Sequence, residues 1–203
     1  MIYFTGDIHG VVDGVVNFVN KVHPSTDDVI VLLGDVGANY YRDQRDNLLK
    51  ALLNDLGTVF LCIHGNHERR PTTIPGYVET EWHGGRAWVQ PEYPNLIFAK
   101  DGEIYTLNGL RYLVIGGAYS VDKYYRLSRG WGWWPDEQPS KEIKAYDMSS
   151  NAILIPSSGI KIKKAPADDD DGGENSNGNE YLKRKPLYMT FKKRAMKNLH
   201  YLI

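Results

Sequence analysis

Three strand-like runs in this sequence each end directly in a glycine-containing polar segment, and this pattern constrains the fold more than any other feature. The runs are residues 2–5, 29–33 and 58–63, all rich in β-branched and other apolar residues. Continuous apolar runs of this kind are typical of parallel strands covered on both faces. The polar residues that follow the three runs are Asp7 and His9, Asp35, and Asn66, His67 and Glu68.

Two segments with helical spacing separate these strands. Residues 11–22 and 43–56 carry apolar side chains every three or four positions, and Gly57 ends the second segment. The order β-α-β-α-β predicts an α/β fold with parallel strands and right-handed crossovers. Because ligands bind beyond the carboxyl ends of such strands, we expect the polar residues after the three strands to share one edge.

Composition limits the classes of protein that fit. A chain of 203 residues with 42% hydrophobic residues is long enough for one domain with a core, and a net charge of -1 does not indicate nucleic-acid binding. The single cysteine, Cys62, excludes a disulfide within the chain. The N-terminal residues lack a basic region and no apolar run is long enough for a membrane span, so we expect a cytoplasmic protein without a membrane partner.

The side chains at these strand ends suit a metal site. Carboxylates, an amide oxygen and an imidazole form a mixed oxygen and nitrogen ligand set that favours Mn, Fe or Zn. Two carboxylates brought together repel each other unless a cation neutralises them. An aspartate between two metals roughly 3.5–4 Å apart would let them clamp a phosphate and activate a water. Taken alone, each Gly-Asp is more often a turn, but turns do not explain three successive strand ends.

These motifs also carry a family resemblance. The sequence resembles the calcineurin-like metallophosphoesterase superfamily in three blocks with the family's order and gaps: Gly6-Asp7-Ile8-His9-Gly10, Gly34-Asp35 and Gly65-Asn66-His67-Glu68. The resemblance covers residues 1 to 146 and implies an α/β/β/α sandwich, here incomplete. Residues 116–122 and 133–138 look like a small bacterial or phage-type branch of the family, although no metal chemistry follows from them.

The resemblance implies a role for each metal-binding residue. Asp7 and His9 would bind a first divalent ion, and Asp35 would bridge two ions. Asn66 would bind the second ion and touch the phosphate, so Asp35 and Asn66 would also take part in catalysis.

Further roles concern the residues around the phosphate. His67 would be the catalytic residue that protonates the departing alkoxide, and Glu68 would orient that histidine. Arg69 and Arg70 follow directly, and either contact substrate phosphate or pair with Glu68.

The family's later ligands are missing from this sequence. The family normally supplies a further histidine and a Gly-His-x-His block, and neither is present. For His23, His64 and His83 a structural role is favoured over metal binding, and His200 lacks the flanking pattern of a ligand. We therefore expect the second metal site to be incomplete.

The character of the chain changes near residue 147. We predict a truncated phosphoesterase domain over residues 1–146 and a divergent polar and basic tail over 147–203, with residues 165–180 disordered. Residues 181–203 hold seven Lys or Arg and no acid. The favoured interpretation of this segment is a solvated tail, and nucleic-acid binding is the alternative. A frameshift or truncation of a longer gene is a third explanation.

The sequence in the middle of the chain predicts β-structure. Strands are predicted at residues 86–89, 96–99, 103–107 and 110–115, and they are expected to begin the family's second sheet. Asn108-Gly109 indicates a hairpin. Residues 124–134 are interpreted as an aromatic-rich loop, and Ser140 as the N-cap of a helix over residues 139–146.

Three functions remain open from the sequence. The leading one is a metallophosphoesterase, a hydrolase that cleaves a phosphate mono- or diester with a water activated by two metals. A non-catalytic metal- or phosphate-binding remnant of the family and a nucleic-acid-binding protein are the alternatives. An incomplete second sheet would expose an edge, so self-association is also expected.

Overall fold

A computed structural model describes residues 1–144, 152–157 and 200–201 of the chain. All of these residues belong to one compact unit, formed by Met1–Ile160 and His200–Ile203. A second unit, Lys161–Leu199, lies outside the described residues, and so does the segment 165–180 that the sequence predicts to be disordered.

The described elements alternate helix and strand in the first third of the chain and are mostly β afterwards. In chain order they are β1 (Ile2–Thr5), α1 (Asp13–Val22), β2 (Val29–Leu32), α2 (Gln44–Asp55), β3 (Val59–Cys62), a short 3-10 helix (Pro71–Thr73), β4 (Val78–Trp82), β5 (Gly85–Val89), β6 (Leu96–Ala99), β7 (Ile104–Leu107), β8 (Leu110–Ile115), α3 (Lys123–Ser128), α4 (Lys141–Lys144), β9 (Ile153–Pro156) and β10 (His200–Tyr201).

The first sheet has the strand order β10-β1-β2-β3-β6-β5-β4. Strands β1, β2 and β3 are parallel, and their last residues pair: Thr5 lies opposite Leu32, and Leu32 opposite Cys62. Because these three strands end at the same level, the loops that follow them all begin at one edge of the sheet. The predicted β-α-β-α-β order is therefore confirmed, and with it the common edge.

The two faces of this sheet have different neighbours. Val15 and Val19 of α1 and Leu53 of α2 belong to a buried cluster with alternate strand residues such as Ile30 and Phe60. Burying an apolar side chain of this size contributes about 1.5–3 kcal/mol, so this helix layer is a main source of stability.

The opposite face of the first sheet meets the second sheet, whose order is β7-β8-β9. The ring of Phe4 lies 6.4 Å from that of Tyr112, and the hydroxyl of Tyr105 donates a 2.8 Å hydrogen bond to the carbonyl of Arg86. Helices, a mixed sheet and a second sheet thus follow one another, as expected for the α/β fold.

Two sequence expectations about the middle of the chain are wrong. Strands β5 and β6 belong to the first sheet, because β6 pairs in parallel with β3 and β5 then returns antiparallel to β6. The second sheet consequently begins at β7. The predicted aromatic loop contains the short helix α3. Strand β4 was not predicted, because its sequence Val-Glu-Thr-Glu-Trp is polar and mostly exposed.

Two local predictions are confirmed. Asn108 and Gly109 both have positive φ angles, 48° and 73°, as the two-residue turn between β7 and β8 requires. The Ser140 hydroxyl accepts a 3.3 Å hydrogen bond from the amide of Ile143 and caps α4. Strand β9 follows residue 146 and pairs in parallel with β8. The domain boundary that the sequence predicts at residue 146 stays a prediction.

Lys50 of α2 is a buried cation beneath the first sheet. It is 2% exposed, and its ammonium donates a 2.8 Å hydrogen bond to the side-chain oxygen of Gln90. Burial lowers the pKa of Lys50 to about 8, while Asp46 opposes and Arg69 reinforces this shift. An amine whose pKa is lower in the folded state than in the unfolded state destabilises the fold at pH values below both.

We predict that the free energy of unfolding of wild type, relative to Lys50→Met, rises between about pH 8 and pH 10.5. In that window the folded lysine releases its proton before the unfolded one does, so the cost of burying the charge disappears. Urea unfolding at several pH values measures this difference. The exposed Lys21→Met in α1 is the matched control and should show no such rise. A pH-independent difference for Lys50→Met would contradict the prediction.

Candidate metal centre

Three of the predicted site residues bring ligand atoms to one point beyond the strand ends. One ligand atom each of His9, Asp35 and His67 lies within 4.8 Å of the other two. The His9 Nε2 atom is 3.9 Å from an Asp35 carboxylate oxygen and 3.9 Å from one of Asp7. The loops after β1, β2 and β3 therefore meet, as their common strand level requires.

Main-chain hydrogen bonds join the first two of these loops. The amide of His9 donates to the carbonyl of Asp35 at 2.8 Å, and the amide of Gly10 donates to the carbonyl of Val36 at 2.9 Å. Both His9 and Asp35 have a φ of 46°, in the left-handed region that side chains other than glycine seldom adopt. Such backbone strain persists only where the surroundings enforce it, and it is common at functional sites.

The third loop is attached through the Asp35 side chain. The amide of His67 donates a 2.8 Å hydrogen bond to Asp35 Oδ1, and Asp35 is only 5% exposed. Gly65 must be glycine here, because a Cβ atom on it would overlap the Asp35 carboxylate and amide. Asp35 thus contacts both neighbouring loops, one through its carbonyl and one through its carboxylate.

Asn66 is held by a residue that the sequence analysis did not identify. Its side-chain Nδ2 donates a 2.9 Å hydrogen bond to the hydroxyl of Ser120. This bond uses the amide nitrogen and leaves the amide oxygen for a metal ion. Ser120 lies in the 116–122 segment, whose family resemblance was the only signal pointing to it.

Glu68 contacts the loop backbone. It is 2% exposed, and its Oε1 atom accepts a 3.0 Å hydrogen bond from the amide of Gly65. Burial raises the pKa of Glu68 to about 8, although the Gly65 amide acts in the opposite direction. The carboxyl group therefore fixes the loop that carries Asn66 and His67, and any effect on the histidine passes through the backbone.

The two arginines after Glu68 have different surroundings. Arg70 forms a 2.6 Å ion pair with Asp101 and donates from Nε to the carbonyl of Asp136. The Arg69 amide donates to the carbonyl of Asn39 at 3.1 Å, and burial lowers the pKa of its guanidinium. Its Nε atom is buried and has no hydrogen-bond partner among the described residues. Arg70 is thus a structural residue that pairs with Asp101, while the role of Arg69 at the substrate stays a prediction.

His67 lies between two carboxylates and a second histidine. Its Nε2 atom is 3.8 Å from Asp122 Oδ1, and its ring centroid is 5.4 Å from that of His9. Burial is the main factor that lowers the pKa of His67. Asp35 and Asp122 oppose the shift, and Arg126 and His9 add to it. Both positive and negative side chains therefore influence the pKa of this imidazole.

A cavity of about 210 Å³ opens in front of these histidines. Its lining includes His9, His67, Asp122, Arg126, Tyr40 and Trp131. The chain segments after β1, β2, β3 and β8 form its walls, so residues far apart in sequence meet around the two imidazoles. A phosphate group fits a space of this size, and both charged and aromatic groups border it.

The residues present fit a divalent metal ion. Imidazole nitrogens and carboxylate oxygens within 4.8 Å of each other form a donor set suited to Mn, Fe or Zn. Within residues 1–144, 152–157 and 200–201, this is the single cluster of three or more His, Cys, Asp or Glu side chains with that spacing. His64 is outside it: burial, reinforced by Arg70, holds the pKa of this histidine well below its usual range.

In the part of the chain that the structure describes, no helix has the length and apolar character needed to cross a membrane.

Comparisons with known proteins identify a family. A sequence model described as calcineurin-like phosphoesterase matches residues 1–183. A search of curated proteins gave no significant match. Among solved structures, a protein of unknown function from Aquifex aeolicus matches with 14% identity and a TM-score of 0.35, covering 77% of this chain and 89% of that one. That likeness is too weak to support an argument about function.

We predict that Ser120→Ala weakens Mn²⁺ binding by about tenfold or more, the usual effect of removing a residue that orients a metal ligand. The substitution removes the acceptor for Asn66 Nδ2 and keeps the Ser120 backbone amide that donates to Glu137. Isothermal titration calorimetry measures the affinity. Ser128→Ala, an exposed serine of α3, is the matched control. Unchanged affinity in Ser120→Ala would show that Ser120 does not position Asn66 as a ligand.

Proposed function

The chain belongs to the calcineurin-like phosphoesterase family, and on this premise we propose that it hydrolyses a phosphate mono- or diester with the help of bound divalent metal ions. The observation that supports this most directly is the meeting of His9, Asp35 and His67 at the ends of three strands. These three loops supply metal donors at the edge where α/β sheets bind ligands.

The proposed metal ligands follow from the family motifs and the contacts around them. Asp7 and His9 would hold one ion, Asp35 would serve as a ligand shared by two ions, and Asn66 would bind the second through its amide oxygen. Bound ions of Mn, Fe or Zn would neutralise the phosphate and generate a nucleophile from water. The support for Asp35 in the central position is its burial and its contacts to the loops on both sides.

The proposed role of His67 is to protonate the leaving oxygen. Its Nε2 atom lies 3.8 Å from Asp122 Oδ1, and Asp122 acts against the burial that lowers the pKa of this histidine. A general acid supplies its largest benefit when the leaving group is a poor one, such as an unactivated alkoxide.

The same geometry supports a second role for His67. Its ligand atom lies within 4.8 Å of those of His9 and Asp35, so a small movement would let it join them around an ion. His67 as a ligand and His67 as a proton donor predict different effects on substrates with different leaving groups. The two roles can therefore be separated by experiment.

The proposal includes both phosphate monoesters and phosphate diesters as substrates, because the described site does not favour either. Phosphatase activity with manganese and a cytoplasmic location are part of the proposal. Nucleic-acid binding through residues 181–203 and self-association stay predictions from the sequence.

We predict Mn²⁺-dependent hydrolysis of p-nitrophenyl phosphate or its bis ester, abolished by EDTA and restored by Mn²⁺. In Asp35→Asn, kcat/KM should fall by more than the roughly 10–100-fold that is typical of an outer-shell residue. The release of p-nitrophenolate measures the rate. If wild type and Asp35→Asn are equally inactive while Mn²⁺ still binds, the chain is a non-catalytic metal-binding relative of the family.

We predict that His67→Asn lowers the rate on phenyl phosphate by about 100- to 10,000-fold and the rate on p-nitrophenyl phosphate much less, because phenolate needs the proton and p-nitrophenolate does not. The ratio of the two rates is the measurement. His83→Asn is the matched control, since His83 is exposed and its positive φ suits asparagine. Equal losses on both substrates, together with weaker Mn²⁺ binding, would identify His67 as a ligand.

A further inference from the structure

Arg126 of α3 is a buried cation without a direct ion pair among the described residues. The residue is 1% exposed, and among the described residues no carboxylate oxygen lies within 4.0 Å of its guanidinium nitrogens. A buried charge without a counter-charge is costly, so buried arginines are normally paired with an acid. Its position therefore calls for an explanation.

The contacts that Arg126 does make are with neutral groups. Nη2 donates to the carbonyl of Gly132, Nη1 is 3.4 Å from the Ser120 hydroxyl, and the guanidinium carbon is 5.9 Å from the centre of the Tyr40 ring. These contacts fix the orientation of the guanidinium group, and none of them is an ion pair. An arginine has five N–H donors, and the hydrogen bonds to Ser120 and Gly132 use two of them.

Two acids lie in this region, and their close contacts are with groups other than the Arg126 guanidinium. The Glu137 carboxylate accepts a 3.1 Å hydrogen bond from the amide of Ser120 and a 2.7 Å bond from Trp133 Nε1. Asp122 lines the same cavity as Arg126, and its Oδ1 atom lies 3.8 Å from His67 Nε2. Arg126 therefore has acids in its surroundings and no direct ion pair with either of them.

The location of Arg126 indicates what that group is. It lines the 210 Å³ cavity together with His9 and His67. Ser120 also connects it to Asn66, because the Ser120 hydroxyl lies within hydrogen-bonding distance of both side chains. A cation that lines the same cavity as two residues of the candidate metal centre is placed to contact an anion bound there.

We propose that Arg126 binds non-bridging oxygens of the phosphate group that the candidate metal centre holds, and so is a substrate-binding residue. This inference rests on the proposed function for the identity of the ester, but the anion site itself does not depend on turnover. The planar guanidinium presents paired donors that match two phosphate oxygens, which a lysine ammonium cannot do in the same way.

The test is inorganic phosphate binding to the full chain in the presence of Mn²⁺, by isothermal titration calorimetry, together with KM for p-nitrophenyl phosphate in Mn²⁺. Arg126→Met should weaken phosphate binding by about tenfold or more, as expected for a lost hydrogen bond to a charged group. KM should rise in parallel. Arg126→Lys should fall between wild type and Arg126→Met, because lysine retains the charge without the paired donors.

The matched control is Arg129→Met, which removes an exposed arginine next to α3. Phosphate affinity and KM should stay at wild-type values in this variant. Circular dichroism reports whether each variant is folded, and if Arg126→Met does not fold, the comparison of Arg126→Lys with wild type decides. Phosphate binding and KM equal to wild type in the folded variant, or no phosphate binding by wild type, would overturn the proposal.

The results also separate this inference from the proposed function. Phosphate binding that depends on Arg126, in a protein without Mn²⁺-dependent hydrolysis, would support the anion site and reject the enzyme. Hydrolysis with an unchanged KM in Arg126→Met would reject the anion site and leave the enzyme in place.

Discussion

The Asp35 residue is the point on which the arrangement of the site depends. Its carbonyl accepts the His9 amide, and its buried carboxylate accepts the His67 amide. These two bonds span three loops only because β1, β2 and β3 end at the same level of the sheet. Sheet register, a strained backbone at Asp35 and the close approach of Gly65 thus combine to set the positions of the two imidazoles.

The sequence predicted this half of the molecule well because its signals are local. A buried strand followed by Gly-Asp can be recognised from a short stretch of sequence. The parallel topology then brings the carboxyl ends of such strands together. The sheet to which β5 and β6 belong could not be predicted, because strand partnership is decided by tertiary packing. Arg126 and Ser120 were missed for a related reason: each acquires its role only when α3 and its flanking segments fold against the site.

The candidate site combines groups from two kinds of sequence. Asp7, His9, Asp35, Asn66 and His67 come from motifs after parallel strands, and they supply donors suited to a divalent cation. The opposite wall comes from residues 116–137, where Glu137 binds Ser120 and Trp133. The first set is suited to metal chemistry, and Ser120 of the second set is coupled to it through the hydrogen bond from Asn66.

The bonds between the first two loops run from main chain to main chain, from His9 to Asp35 and from Gly10 to Val36. Bonds of this kind do not depend on which side chain occupies position 9. Asparagine or aspartate, which also tolerate the left-handed φ of 46° at this position, would therefore exchange one donor of the proposed metal site, and so retune its preference among ions, without rebuilding the scaffold beneath it.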